Sequence, residues 1–227
     1  MNNPLDLTGK NILVITLLTS LDYAIIDKIN SLGGITTILE ITDTELIEKE
    51  IKTLIKSKGK FDGFVFSIVH SDFKPLQFVK PGNVQIIMND NYGVFIEAMR
   101  SLKKARGLND GASVVALSSI SSVRAMKAKM AFCASKAALD AAIRCLAVEL
   151  ADKGIRINSV QKGAVDVDME KTHIQDVMNI RDIENTKKQP LGISKAEEIA
   201  NAVVFLLSDA VKTMTGTSLV IDGGYLA

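Results

Sequence analysis

Lys10-Asn11-Ile12-Leu13-Val14-Ile15-Thr16-Leu17-Leu18-Thr19-Ser20-Leu21-Asp22 is a β-branched apolar run that gives way at once to helix-opening residues. Residues 10–16 read as a strand, and residues 22–32 as an amphipathic helix ended by Gly33-Gly34. Thr19-x-x-Asp22 has the form of a capping box with a shortened acid. The same strand-then-helix unit recurs along the chain. Strands are expected at 35–41, 62–69, 112–118, 155–161 and 217–222. Helices are expected at 42–57 (opened by Thr42-x-x-Glu45), 81–105, 130–153 and 194–208 (opened by Ser194-x-x-Glu197). This alternation predicts an α/β fold, a doubly wound parallel sheet with helices on both faces. The polar, weakly patterned stretch 163–190 is the expected lid over any pocket.

Composition narrows the function classes. With 227 residues, 47% of them apolar, the chain can bury one sizeable core and reads as a single domain. The net charge of +1 gives no electrostatic footprint for nucleic acid or an anionic membrane surface. No apolar run approaches the roughly 18 residues of a membrane span, and no leader pattern is visible at the start. Cys133 and Cys145 fall within one expected helix, too far apart to bridge, so a reducing, cytoplasmic setting is the expectation.

From residue 91 onward a set of motifs accumulates. These are Asn91-Tyr92-Gly93-Val94-Phe95, Val115-Ala116-Leu117-Ser118-Ser119, Phe132-Cys133-Ala134-Ser135-Lys136, Gly154-Ile155-Arg156-Ile157-Asn158-Ser159-Val160-Gln161-Lys162-Gly163, and Thr215-Gly216-Thr217-Ser218-Leu219-Val220-Ile221-Asp222-Gly223-Gly224. Together they resemble the short-chain dehydrogenase/reductase family, most nearly its 3-oxoacyl-acyl-carrier-protein reductases. Asp62-Gly63-Phe64-Val65 with Ser67-Ile68 is also similar to the related enoyl reductases, whose catalytic tyrosine lies seven residues before the lysine. That position here is Lys129.

The resemblance implies NAD(P) as the family cofactor and a catalytic unit of Asn, Ser, Tyr and Lys. Carried over, these are Asn91, Ser119, Phe132 and Lys136, with Ser118 the weaker match for the serine. Phe132 keeps the tyrosine's ring but has no hydroxyl, so it cannot give or take a proton. Either hydride transfer is crippled, or another group supplies the proton. Tyr23 and Tyr92 have no spacing that would let them take over.

On the cofactor side, the family's three glycine positions in the first strand-to-helix turn hold Thr16, Ser20 and Asp22. Glycines there permit the tight turn and the close approach of backbone to the pyrophosphate. Asp22 would instead place an anion where the phosphates bind. Glu40 stands at the adenine-contacting acid, and Phe66-Ser67-Ile68-Val69 replaces the family's Asn-Asn-Ala-Gly. Gly163 and Val165 complete the cofactor side that the resemblance implies. One strand–helix pair of roughly 20 residues is missing after Gly33-Gly34, so six strands are expected. With these losses together, no dinucleotide is expected to bind well, and no metal is implied. His70 and His173 have no partner at ligand spacing, and Cys133 reads as packing.

Family members pack two long helices into dimers and tetramers. The resemblance therefore implies a homo-oligomer, or a hetero-oligomer with an intact relative. Arg124, Lys127 and Lys129 form a basic loop suited either to solvent or to an acidic acyl-carrier protein, and Met126 and Met130 beside it suit a lid or interface. The two functional expectations are thus a non-catalytic binding or assembly subunit, and a reductase of carbonyl or acyl-carrier substrates with altered chemistry through Ser119 and Lys136.

Overall fold

The computed structural model describes residues 3–166 and 189–227, so most of the expected lid, His173 included, lies outside the described residues. In chain order the strands are β1 (Asn11–Thr16), β2 (Ile35–Glu40), β3 (Phe61–Phe66), β4 (Leu108–Ser119), β5 (Arg156–Lys162), β6 (Val165–Asp166), β7 (Ser194–Lys195) and β8 (Ser218–Ile221). The described helices are α1 (Ser20–Ser31), α2 (Thr44–Lys58), α3 (Pro81–Met88), α4 (Val94–Lys104), α5 (Met130–Glu149) and α6 (Ala196–Leu207). β6 and β7 form a small parallel pair. The other six strands make one parallel sheet in the order β2-β1-β3-β4-β5-β8. Six strands are what the shortened sequence called for, and β2 becomes an outer edge.

Alternation along each strand divides the core in two. Leu13, Ile15, Phe64, Phe66, Val114 and Ala116 point to the face covered by α2, α4 and α5. Ile12, Val14, Val65, Val115, Leu117 and Val160 point to the face covered by α1 and α6. On the first face the Phe95 ring lies 6.2 Å from Phe64 and 5.4 Å from Phe66. Gly33 closes α1 at φ +83°, and a Cβ there would sit 2.4 Å from the Thr8 hydroxyl oxygen, so only glycine fits this turn.

The helix expected over 81–105 is present and runs on through 81–104, with one turn over Asn89–Gly93 between α3 and α4 widened to π-type spacing. Two expected caps are corrected. The cap of α2 is Asp43, whose carboxylate accepts from the Glu45 N–H at 2.9 Å, and not Thr42. The cap of α6 is Lys195, whose N–H donates to Glu198 at 2.7 Å, because Ser194 is held extended in β7 opposite Val165.

Candidate functional site

In an open α/β sheet, ligands bind outside the carboxyl ends of the strands, where neighbouring crossovers diverge. β1, β3 and β4 end together here, and the expected site residues lie along this rim.

The β1-to-α1 turn is filled from within. Thr16 is fully buried, and its hydroxyl accepts from the Leu18 N–H at 2.9 Å, which fastens a turn where Leu18 adopts φ +56°. Thr19 caps α1, with Ser20 as the first helical residue. The Asp22 carboxylate, buried in the first turn, accepts from the Thr19 N–H and hydroxyl, each at 2.7 Å, while the Asp22 N–H donates back to the Thr19 hydroxyl at 3.4 Å. The expected capping box is therefore present. The second carboxylate oxygen accepts from the hydroxyl of Ser67, just beyond β3. A side-chain anion thus sits at the positive end of α1, joined to two segments of the rim.

Asn91 lies fully buried in the widened turn. Its amide oxygen accepts from the His70 N–H at 2.9 Å, and its NH2 donates to the His70 carbonyl at 2.6 Å and to Ser135 at 3.1 Å. It clamps the loop after β3 to α5. The same loop holds a pair that spacing alone did not show: His70 Nδ1 lies 2.6 Å from an Asp90 carboxylate oxygen. His70, expected to have no partner at ligand spacing, meets Asp90 from within the widened turn.

Ser119, at the end of β4, is half-buried, and its hydroxyl accepts from the Ser121 N–H at 3.1 Å. The neighbouring Ser118 is fully buried, and its hydroxyl finds no partner among the described residues. Phe132 and Lys136 follow one another on the inward face of α5. The Phe132 ring is buried, with the Lys129 ammonium 5.8 Å from its centre. Lys136 is completely enclosed, and Nζ donates to the backbone carbonyls of Ile68 at 3.1 Å and Leu117 at 3.0 Å. Burial drives its pKa down to about 7; the positive charge of Lys162 pushes the same way, and Asp140 opposes. Lys162 stands, itself buried, where the family motif carries proline. Asp140 accepts from Ser159 at 2.9 Å and Gln161 at 2.8 Å, which knits α5 to β5.

Gly163 is a close-approach glycine, since a Cβ there would lie 2.9 Å from Asp222 Cα and from Gln189 Oε1. Val165 is buried in β6. Glu40 ends β2 beside Thr16, exposed at the sheet's outer margin. Arg124 and Lys129 of the basic loop both lie over aromatic rings, Arg124 at 5.6 Å from the centre of Tyr225. Among the described residues no His/Cys/Asp/Glu cluster could hold a metal ion, and no helix is long and apolar enough to cross a membrane.

Residues 9–226 match a family model described as enoyl-(acyl carrier protein) reductase. The chain is 39% identical over 114 residues to an L-xylulose reductase of Caenorhabditis elegans, a match covering 50% of this chain and 45% of that protein. It thus spans about half the length of that curated relative. A 3-oxoacyl-(acyl-carrier-protein) reductase of Chlamydia trachomatis is 26% identical over 192 residues, covering 82% of this chain and 74% of that protein. The crystal structure of a short chain dehydrogenase family protein from Francisella tularensis superposes with a TM-score of 0.85 at 26% identity, over 96% of this chain and 98% of that one.

Proposed function

The chain belongs to the short-chain dehydrogenase/reductase family, and from that premise we propose that it is a non-catalytic member, a binding or assembly subunit similar to 3-oxoacyl-acyl-carrier-protein reductases. The observation that carries this reading is the Asp22 carboxylate at the N-terminus of α1, held by Thr19 and Ser67. The family cofactor is NAD(P), and its pyrophosphate needs the anion seat that this side chain takes. Two unit charges about 4 Å apart repel by about 4 kcal/mol at an effective dielectric of 20, which corresponds to roughly a thousandfold in affinity. The residues of this turn therefore do not fit a dinucleotide.

The catalytic unit supports the same reading. Phe132 has no proton to exchange, and a positioned donor is commonly worth about 10²–10⁴ in rate. Lys136 uses two of its three N–H donors on the Ile68 and Leu117 carbonyls. Ser119 remains at the rim, where it can hold a polar group without turning it over. Assembly is supported by the groove of about 380 Å³ between α4 and α5. It is floored by Ile96, Met99, Leu146 and Leu150, with Arg100 and Glu149 on its walls. A second copy or an intact family member in the cytoplasm would pack there, and the basic loop at Arg124 would face an acyl-carrier protein.

The test is calorimetric titration of the full chain with NADH and with NADPH. No binding in the micromolar range is expected. Micromolar binding of either would overturn the reading and leave the alternative, a reductase of carbonyl or acyl-carrier substrates with altered chemistry through Ser119 and Lys136.

A further inference from the structure

β2 pairs with β1 on one side, and no described residue pairs with the other. The Ile35 N–H donates to the Lys10 carbonyl at 2.9 Å, so the alternate residues Ile35, Thr37 and Leu39 turn their backbone groups toward β1. The N–H and C=O of Thr36, Ile38 and Glu40 face outward. The strand Ile35-Thr36-Thr37-Ile38-Leu39-Glu40 carries a single charge, Glu40 at its end, and has no lysine, no proline and no bulge against β1. Its isoleucines are exposed as well, Ile35 by 58% and Ile38 by 43%.

We propose that this edge is a self-association site, at which β2 of a second copy of this chain pairs antiparallel across a two-fold axis through Ile38. Backbone parity selects the register. Outward-facing residues must oppose outward-facing residues, and only the arrangement Ile38 to Ile38, Thr36 to Glu40 and Glu40 to Thr36 uses all of them, each pair exchanging two hydrogen bonds. A shift by two residues in either direction loses a pair and sets Ile38 against Glu40 or Thr36.

In the selected register the side chains match. Ile38 meets Ile38 on the α1 face. On the opposite face, exposed Ile35 meets Ile41 and Thr37 meets Leu39. The two Glu40 carboxylates end up about 13 Å apart, beyond a Debye length in physiological salt. Such an interface is isologous and closes at two copies, joining two six-stranded sheets into one. It leaves the α4–α5 groove free, so it is independent of the assembly surface described above.

The test is disulfide trapping in full-length protein whose two free cysteines, Cys133 and Cys145, are changed to serine. Ile38→Cys places two thiols on directly opposed residues, whose Cα atoms are about 5.5 Å apart in a hydrogen-bonded antiparallel pair, within disulfide reach. Mild oxidation is expected to convert it to a covalent dimer. Ile35→Cys, whose copies would lie about 20 Å apart, is expected to stay uncrosslinked. Ile38→Lys in the natural chain, with its fold checked by circular dichroism, is expected to halve the assembly mass in sedimentation velocity. Equal crosslinking of both cysteine variants, no crosslink at position 38, or an assembly mass that Ile38→Lys leaves unchanged would each overturn the proposal.

Discussion

Removing the Asp22 carboxylate strands the buried Ser67 hydroxyl together with the part-buried Thr19 N–H and hydroxyl. Losing a helix cap costs about 1 kcal/mol, and a buried donor left unpaired costs about 1–3 kcal/mol. Asp22→Ala is therefore expected to lower unfolding stability by about 2–3 kcal/mol in urea denaturation. A loss below about 0.5 kcal/mol would mean that the carboxylate does not hold the turn. Phe132→Tyr is a different kind of change, because on the proposed reading it restores one hydroxyl to a site without a cofactor seat. We expect no NAD(P)H-dependent carbonyl reduction from it; a clear gain of turnover would show that phenylalanine was the single defect. The departures from the family motif at these positions are legible in the sequence, because glycine and tyrosine have no substitutes for close backbone approach or proton exchange. The inward lock of Lys136 was not, since a lysine in the family motif looks the same whether its amine faces a ribose or two carbonyls.

Asn91 acts at the scale of the element, because it fastens the widened turn between α3 and α4 to the loop after β3 and to α5. Asn91→Ala leaves the part-buried His70 N–H and carbonyl and the buried Ser135 hydroxyl short of a partner and is expected to cost about 1–3 kcal/mol. Hydrogen exchange should then show faster opening over Asn89–Gly93 than over β4. Equal rates in the variant and the natural chain would refute the clamp. The strands, Gly33-Gly34 and the Thr19–Asp22 cap could be read from residue types, since β-branched runs, glycine punctuation and short polar caps act locally. The widened turn at Asn89–Gly93 could not, because a single extra residue in a turn leaves the apolar pattern of 81–105 almost unchanged. The His70–Asp90 contact joins residues twenty apart in the chain, which local patterning does not display. At 42–45 and 194–197 the capping pattern fitted two adjacent starts. Tertiary pairing of Ser194 with Val165 decided the second.

Across the whole molecule, the two-sided core and the missing outer strand were legible from alternation and length, whereas the pairing of a bare edge is a property that no single chain's pattern displays. Lys136 sets a global pH dependence. Its ordinary value is 10.5, and burial lowers it to about 7 in the fold. Between those values the unfolded chain binds more protons than the folded one, so this group makes stability rise with pH across that window and adds no slope below it. Urea melts at pH 7 and pH 9.5 should show a smaller rise for Lys136→Met than for the natural chain. Equal rises would mean that enclosure leaves the lysine's pKa at its ordinary value.

A protein that holds a nucleotide at a hundred times its dissociation constant gains about 2.7 kcal/mol of folded-state stability by mass action, and loses it when the nucleotide is scarce. Here the Asp22 carboxylate is carried in the chain at a fixed ratio of one to one. Its contribution cannot be diluted, competed away or drained by a change in metabolic state. Adding NADH or NADPH should leave the melting temperature where it was, and the lifetime of the folded chain in a cell should run on without reference to the redox poise around it.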